Sequence, residues 1–397
     1  MRFSVLACAL AASLLVCVSA VSPDTFDDAA LSGVYWGVSV GGSLGNEASA
    51  FWTFAFDGAG SYTNAGTWAD FSVSSQEASG GGSYAVAADG GISFFPGTGG
   101  ELSGGLGQAA GAAVFGDVDT QAGQEIGLLA PWAGDKAVAD LAGTWYWAGY
   151  MAVAGDRASG LGTFVFNEAG SYTCTVDVSA FVAGPVADVP GSGTAAAAGG
   201  GAFLLTGFPD DPGQSVSAGL SADNRLLVLA NTDEAADIQA GAMVRAGGGH
   251  TLASLQGKYR MVSYGTPDGG ITRQAFLGSM TFDGAGGFTV TGTLSDSLLG
   301  GDLDKSGSGA YTLDSRGLGT LDFDSGKSLA LAVSADASFA LAARTHSAQE
   351  FAVLVKTADV EPSSPKTGQV PDDPSTPSSP VSAVSEETTG CFVRSAR

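Results

Sequence analysis

Gly37-Val38-Ser39-Val40-Gly41 carries the spacing of a nucleophile elbow. That chemistry needs a strained turn from a strand into a helix, which lifts the serine oxygen clear of the backbone. Here the flanking residues alternate apolar and small with no helical period after them, so Ser39 reads as a strand residue. Gly105-Leu106-Gly107-Gln108-Ala109-Ala110 spells a dinucleotide fingerprint without the βαβ unit that would set a phosphate at a helix N-terminus. In a chain with 61 glycines such strings arise by accident.

The two histidines, His250 after Gly247-Gly248-Gly249 and His346, have no cysteine or histidine partner at ligand spacing and are expected in solvent-exposed loops. A zinc site and a Ser-His hydrolase are both disfavoured. Asp302-Leu303-Asp304-Lys305-Ser306-Gly307 copies the first half of a calcium loop, but position twelve is Leu313 instead of a bidentate glutamate. An acidic turn between strands is expected there, and Asp117, Asp119 and the pair Asp210-Asp211 are read the same way. No cofactor, no metal and no enzymatic activity are expected. Trp36, Trp52, Trp68, Trp132, Trp145 and Trp147 would stack on sugars from an open face, although core or barrel-plug duty is the expected use for most. All six fall in the first two of three repeated units, which implies unequal roles.

Those units are spelled three times. Leu31-Ser32-Gly33-Val34-Tyr35, Leu141-Ala142-Gly143-Thr144-Trp145 and Leu255-Gln256-Gly257-Lys258-Tyr259 open them, at spacings of 110 and 114 residues. Each opening leads to an alternating run (Trp52, Phe54, Phe56; Phe164, Phe166; Met280, Phe282) and then an acidic glycine turn at Asp57, Asn167 or Asp283. Period two means half-buried strands, and Gly60, Gly170 and Gly286 supply the positive φ that a short hairpin requires. Further short strands follow at spacings near ten residues, ending at Glu125 to Ala130, Ile238 to Arg245 and Glu350 to Lys356. The fold class is all-β: three tandem antiparallel up-and-down barrels of seven or eight strands over 31–132, 141–245 and 255–356. The joints between them are short, so neighbouring barrels should sit close together, with a rod as the expected arrangement.

A Gly-x-aromatic opening in an up-and-down unit whose last strand ends on a basic residue resembles the lipocalin and calycin superfamily. The resemblance implies that the ring plugs one end of the barrel and that the basic side chain packs across it. Gly143 and Trp145 would then pair with Arg245, and Gly257 and Tyr259 with Lys356. The first unit has Gly33 and Tyr35 but ends on Pro131-Trp132, without a basic residue. A barrel of this kind implies room for a small apolar ligand; the alternative is an interior filled by side chains.

Outside the repeats, Arg2 followed by an apolar run closing on Val18-Ser19-Ala20 reads as a signal peptide over residues 1–20. Export is expected, to the extracellular space or the cell-envelope surface. The full chain carries 16 basic against 40 acidic residues, a net charge of −24, which repels nucleic acid phosphates. The mature chain keeps only Cys174 and Cys391, so no disulfide framework supports it. It has no second apolar run long enough to span a bilayer. Residues 357–397 are rich in Pro, Ser and Thr and are expected to form a disordered stalk. The string Gly390-Cys391-Phe392-Val393 is similar to short Cys-Phe-Ile/Val tails of some bacterial exported proteins, which implies surface attachment or a disulfide dimer through Cys391. Two functions remain: a binding module for a small apolar or carbohydrate ligand, or a structural spacer with filled barrels.

Overall fold

The structure is a computed structural model that describes residues 26–43, 46–71, 73–97, 101–107, 111–117, 124–153, 156–208, 211–232, 237–267, 272–345 and 348–357. The expectations for the leader, Asp119, Asp210, His346 and the tail with Cys391 fall outside these residues.

Twenty-four strands form three separate closed antiparallel barrels of eight strands each. Barrel 1 comprises β1 (Ser32–Ser43), β2 (Asn46–Asp57), β3 (Ser61–Asp70), β4 (Val73–Val86), β5 (Gly91–Pro96), β6 (Leu102–Leu106), β7 (Ala113–Asp117) and β8 (Gln124–Pro131). Barrel 2 comprises β9 (Gly143–Val153), β10 (Asp156–Phe166), β11 (Ser171–Ala180), β12 (Gly184–Gly199), β13 (Ala202–Phe208), β14 (Asp211–Leu220), β15 (Leu226–Asn231) and β16 (Asp237–Arg245). Barrel 3 comprises β17 (Gly257–Thr266), β18 (Gln274–Phe282), β19 (Gly287–Asp296), β20 (Gly300–Leu313), β21 (Leu318–Phe323), β22 (Ser328–Val333), β23 (Phe339–Ala343) and β24 (Gln349–Lys356). Each strand pairs with the next, and the first closes on the last: β1 on β8, β9 on β16 and β17 on β24.

The repeated motifs have local physical causes. Gly33, Gly143 and Gly257 have φ of 92°, 124° and 118°, a region that penalises any side chain with a Cβ. The leucine two residues before each is fully buried. At the first hairpin of each barrel one side chain organises the turn. The Oδ1 of Asp57 accepts from the amides of Ala59 and Ser61, that of Asn167 from Ala169 and Ser171, and that of Asp283 from Ala285 and Gly287. Short 3-10 turns at Asp28–Ala30, Val138–Leu141 and Leu252–Leu255 precede the barrels; periodicity did not announce them because they are a single turn long.

A rod is not what forms. The first strands of barrel 1 pack on β15 and β16 of barrel 2, those of barrel 2 on β23 and β24 of barrel 3, and those of barrel 3 return to β7 and β8 of barrel 1. The contact is head-to-tail and it closes after three steps, as a cyclic trimer's would. Matching side chains build it: Val38, Ala148 and Val262 from the first strands, and Leu128, Ala242 and Val353 from the last, all lie in one buried apolar cluster. Polar contacts repeat as well, since Ser49 Oγ donates to Asn231 O and, one barrel on, Ser159 Oγ donates to Arg344 O at 2.7 Å. A rod would leave the outer faces of β1, β8 and β17 in water, and these faces are too apolar for that.

Two smaller expectations also change. Residues 302–307 lie within β20, so the half calcium loop is strand and not a turn. His250 is buried, with 7% exposure, beside Gly247 and Gly317 in the joint between barrels 2 and 3, because the Ser315–Gly317 turn of barrel 3 packs over it and accepts from its amide.

Candidate functional site

Each barrel has a sealed end, where the chain enters and leaves, and an opposite mouth. At the seal of barrel 2, the Arg245 guanidinium carbon stands 4.6 Å from the centre of the Trp145 ring. The same guanidinium donates to the carbonyls of Asn224, Ala142 and Asp140 at 2.8, 2.8 and 2.6 Å. Trp145 Nε1 donates to Leu141 O at 2.7 Å. In barrel 3 the Lys356 ammonium lies 5.7 Å from the Tyr259 ring, whose hydroxyl donates to Ala337 O at 2.7 Å. In barrel 1 the residue paired with Tyr35 is Pro131, and Tyr35 packs edge-on against Phe56 at 5.4 Å. Trp132 joins the apolar cluster between barrels instead, 5.9 Å from Trp36.

The tryptophans do not form a sugar platform. Trp36, Trp52, Trp68, Trp145 and Trp147 are all buried and Trp132 is half-buried. What they do instead decides which barrel is hollow. One cross-strand row in barrel 1 reads Leu129, Gly37, Trp52, Gly66, Ala78. The row at the same level of barrel 2 reads Met243, Trp147, Gly162, Val176, Val189. Each holds a single indole, and glycines make room for it: a Cβ on Gly66 would lie 2.8 Å from the Trp52 ring, and one on Gly149 would lie 2.6 Å from that of Trp147. Trp68 adds a second indole to barrel 1. The barrel 3 row reads Leu354, Met261, Gly278, Gly292, Lys305. It keeps the glycines and has no indole.

The result is a cavity of about 620 Å³ inside barrel 3, open at the mouth. Met261, Phe276, Val290, Leu294 and Phe323 form its apolar wall. Lys327 sits in it, paired with Glu350 at 2.6 Å and 5.0 Å above the Phe323 ring, and Ser263 and Gln274 add neutral polar groups. A half-open volume of this size, with an apolar wall and a polar, charged rim, has the character of a small-molecule site. A space of about 770 Å³ runs along β2–β4 of barrel 1, lined by Trp52, Gly66 and Ala78 of the inner row as well as by Thr53, Thr67 and Glu77, and it is more open to solvent than the barrel 3 cavity.

Ser39 lies on β1, buried, and bonds to the Glu125 side chain within barrel 1. Glu125 is the residue that the sequence did not single out: burial raises its pKa to about 7, opposed by the bond from Ser39 and assisted by the charge of Asp117. No helix follows β1, so the elbow geometry is missing. Among the described residues no cluster of three or more metal-ligating side chains forms.

No family model and no curated protein matches the sequence. Among solved structures, the chain is similar to a protein of unknown function from the DUF3598 family of Nostoc punctiforme, with 10% identity over 83% of this chain and 97% of that one and a TM-score of 0.19. It is also similar to isotype 1 transferrin binding protein B of serogroup B Neisseria meningitidis, with 9% identity over 82% of this chain and 77% of that one and a TM-score of 0.24. A mutant transferrin binding protein B from Haemophilus parasuis gives 8% identity over 81% and 75% and a TM-score of 0.23.

Proposed function

We propose that this chain is an exported, non-catalytic binding protein that carries one small, largely apolar molecule inside its third barrel. The observation that supports this reading is the missing indole. Two barrels fill the same row with tryptophan; the third has no indole there, the smaller Phe276 ring stands over its glycines, and a cavity remains beside that ring. Barrels 1 and 2 then serve as solid supports whose outer faces complete the ring. A carbohydrate ligand is disfavoured, because no tryptophan is left exposed to stack on one. A purely structural spacer would gain nothing from a hollow barrel, since unfilled interior volume costs stability.

The seal also bears on orientation. Residues 26 and 357, the first and last of the described residues, lie at sealed ends, and the mouth of barrel 3 is at the opposite end from Thr357. The test is a thermal-shift panel of apolar and carbohydrate ligands on the whole protein. At least one apolar compound should give a saturable stabilisation; a response confined to sugars, or none at all, would overturn the reading.

A further inference from the structure

Two hairpins at the open end of the ring carry apolar side chains that the fold leaves in water. Glu47, Arg157 and Arg273 stand at the mouth ends of β2, β10 and β18, and their meeting sets all three mouths at one end of the ring. From that end project the β11–β12 turn of barrel 2 and the β19–β20 turn of barrel 3. Phe181 and Val182 are 51% and 70% exposed, and Leu298 and Leu299 are 65% and 74% exposed. With Val186, these make five of the seven large apolar side chains exposed among the described residues, so the exposure is gathered on two hairpins and not scattered.

The same turn of barrel 1 shows such a residue in use. Phe71, the counterpart of Phe181, packs on the cluster between the barrels, with the Arg157 guanidinium 5.6 Å from its ring. The turns of barrels 2 and 3 expose theirs and are nevertheless pinned. Asp156 Oδ1 accepts from the Val182 amide at 2.9 Å, and Asp296 Oδ1 from the amides of Leu298 and Leu299 at 2.9 and 3.0 Å.

We propose that this end of the ring docks on a lipid surface without net charge, with both tips in the interfacial layer and the mouth of barrel 3 toward the lipid. Residues 178–187 and 297–301 include no charged residue, so the tips can enter that layer. The rest of the chain sets the kind of lipid. A net charge of −24 is repelled by anionic headgroups, whereas a zwitterionic headgroup turns its cation outward, toward the exposed Asp177 and Asp188 that bracket the barrel 2 tip. Two tips that stand out from one end of a closed ring fit a plane. Leu294 of β19 and Ser306 of β20 line the barrel 3 cavity, so the Leu298–Leu299 tip stands at its mouth and an apolar molecule could pass over this hairpin from lipid to cavity. That passage rests on the carrier reading; the docking does not.

The experiment is flotation of the whole protein with phosphatidylcholine vesicles, alone or mixed with phosphatidylglycerol. It is repeated with Leu298→Ser/Leu299→Ser, with Phe181→Ser/Val182→Ser and with all four changes together. The parent should float with phosphatidylcholine and less with the anionic mixture. Each double variant should lower the partition at least about tenfold. The quadruple variant should not float, while melting near the parent's temperature because the changed side chains lie in solvent. Absence of flotation by the parent, undiminished flotation of the quadruple variant, or a preference for the anionic mixture would each overturn the proposal. So would a parent dimer in sedimentation that the quadruple variant lacks, which would assign the tips to a second copy of the chain. Titration with 1-decanol separates the two readings: a quadruple variant that no longer floats but still binds 1-decanol supports docking with the carrier intact, whereas a parent that floats and binds no 1-decanol keeps the docking and removes the carrier reading.

Discussion

Arg157 occupies in barrel 2 the position that Glu47 occupies in barrel 1, and the two side chains pair across the boundary at 2.9 and 3.0 Å. Arg273, the equivalent residue of barrel 3, donates from Nε and Nη2 to the same carboxylate. One register position has thus become acid, base and base, and all three side chains meet where the barrels converge. Glu47 and Arg273 are fully buried, and removing one partner strands the others. Glu47→Ala should cost about 3–5 kcal/mol in denaturant unfolding. Replacing all three together with Leu, Leu and Met should recover most of that loss; failure to recover would mean that the triad contributes more than charge balance.

The seals should differ in strength. Arg245 stacks on Trp145 and also satisfies three carbonyls, whereas the contact of Lys356 is with the Tyr259 ring. Arg245→Ala should cost about 2–4 kcal/mol and Lys356→Met less than about 1 kcal/mol. Equal costs, measured by chemical denaturation, would remove the seal from the explanation of the Gly-x-aromatic motif.

Glu125 makes stability depend on pH. Its folded pKa, raised to about 7 by burial, lies above the ordinary 4.5, so the folded protein holds a proton that the unfolded chain has released between these values. Stability from this group is present below the lower value and is lost as pH rises through the window. Glu125→Gln should therefore be nearly neutral at pH 4 and stabilising at pH 8 by up to about 3 kcal/mol. A difference between variant and parent that stays flat across this range would contradict the burial argument.

The architecture was legible because it is local. Alternation in Trp52, Phe54 and Phe56, and the turns at Asp57, Asn167 and Asp283, report strands and hairpins within a few residues of chain. The ring was not legible, since the outward-facing Val38, Ala148 and Val262 carry the same alternation whichever surface they meet. Nor was the triad: Glu47, Arg157 and Arg273 become equivalent only once the three registers are superposed. The hollow barrel did leave a trace, in that no tryptophan occurs after Trp147. Reading a cavity from it required the cross-strand partners Gly278 and Gly292 and the single Phe276 ring that stands over them.

Trp147→Met would give barrel 2 the residue that barrel 3 carries at this level. The substitution should cost about 2–4 kcal/mol through the cavity it leaves. It should also add a second apolar site, raising the stoichiometry for 1-decanol in calorimetry; a destabilised variant with unchanged stoichiometry would show that the barrel collapses instead.

The most direct measurement is the converse. Leu294 stands where barrel 1 has Trp68, and its side chain lines the barrel 3 cavity. In titrations with 1-decanol, the parent protein should bind one molecule saturably and Leu294→Trp, folded and of similar stability, should bind none. Undiminished binding by that variant would place the ligand elsewhere and contradict the account.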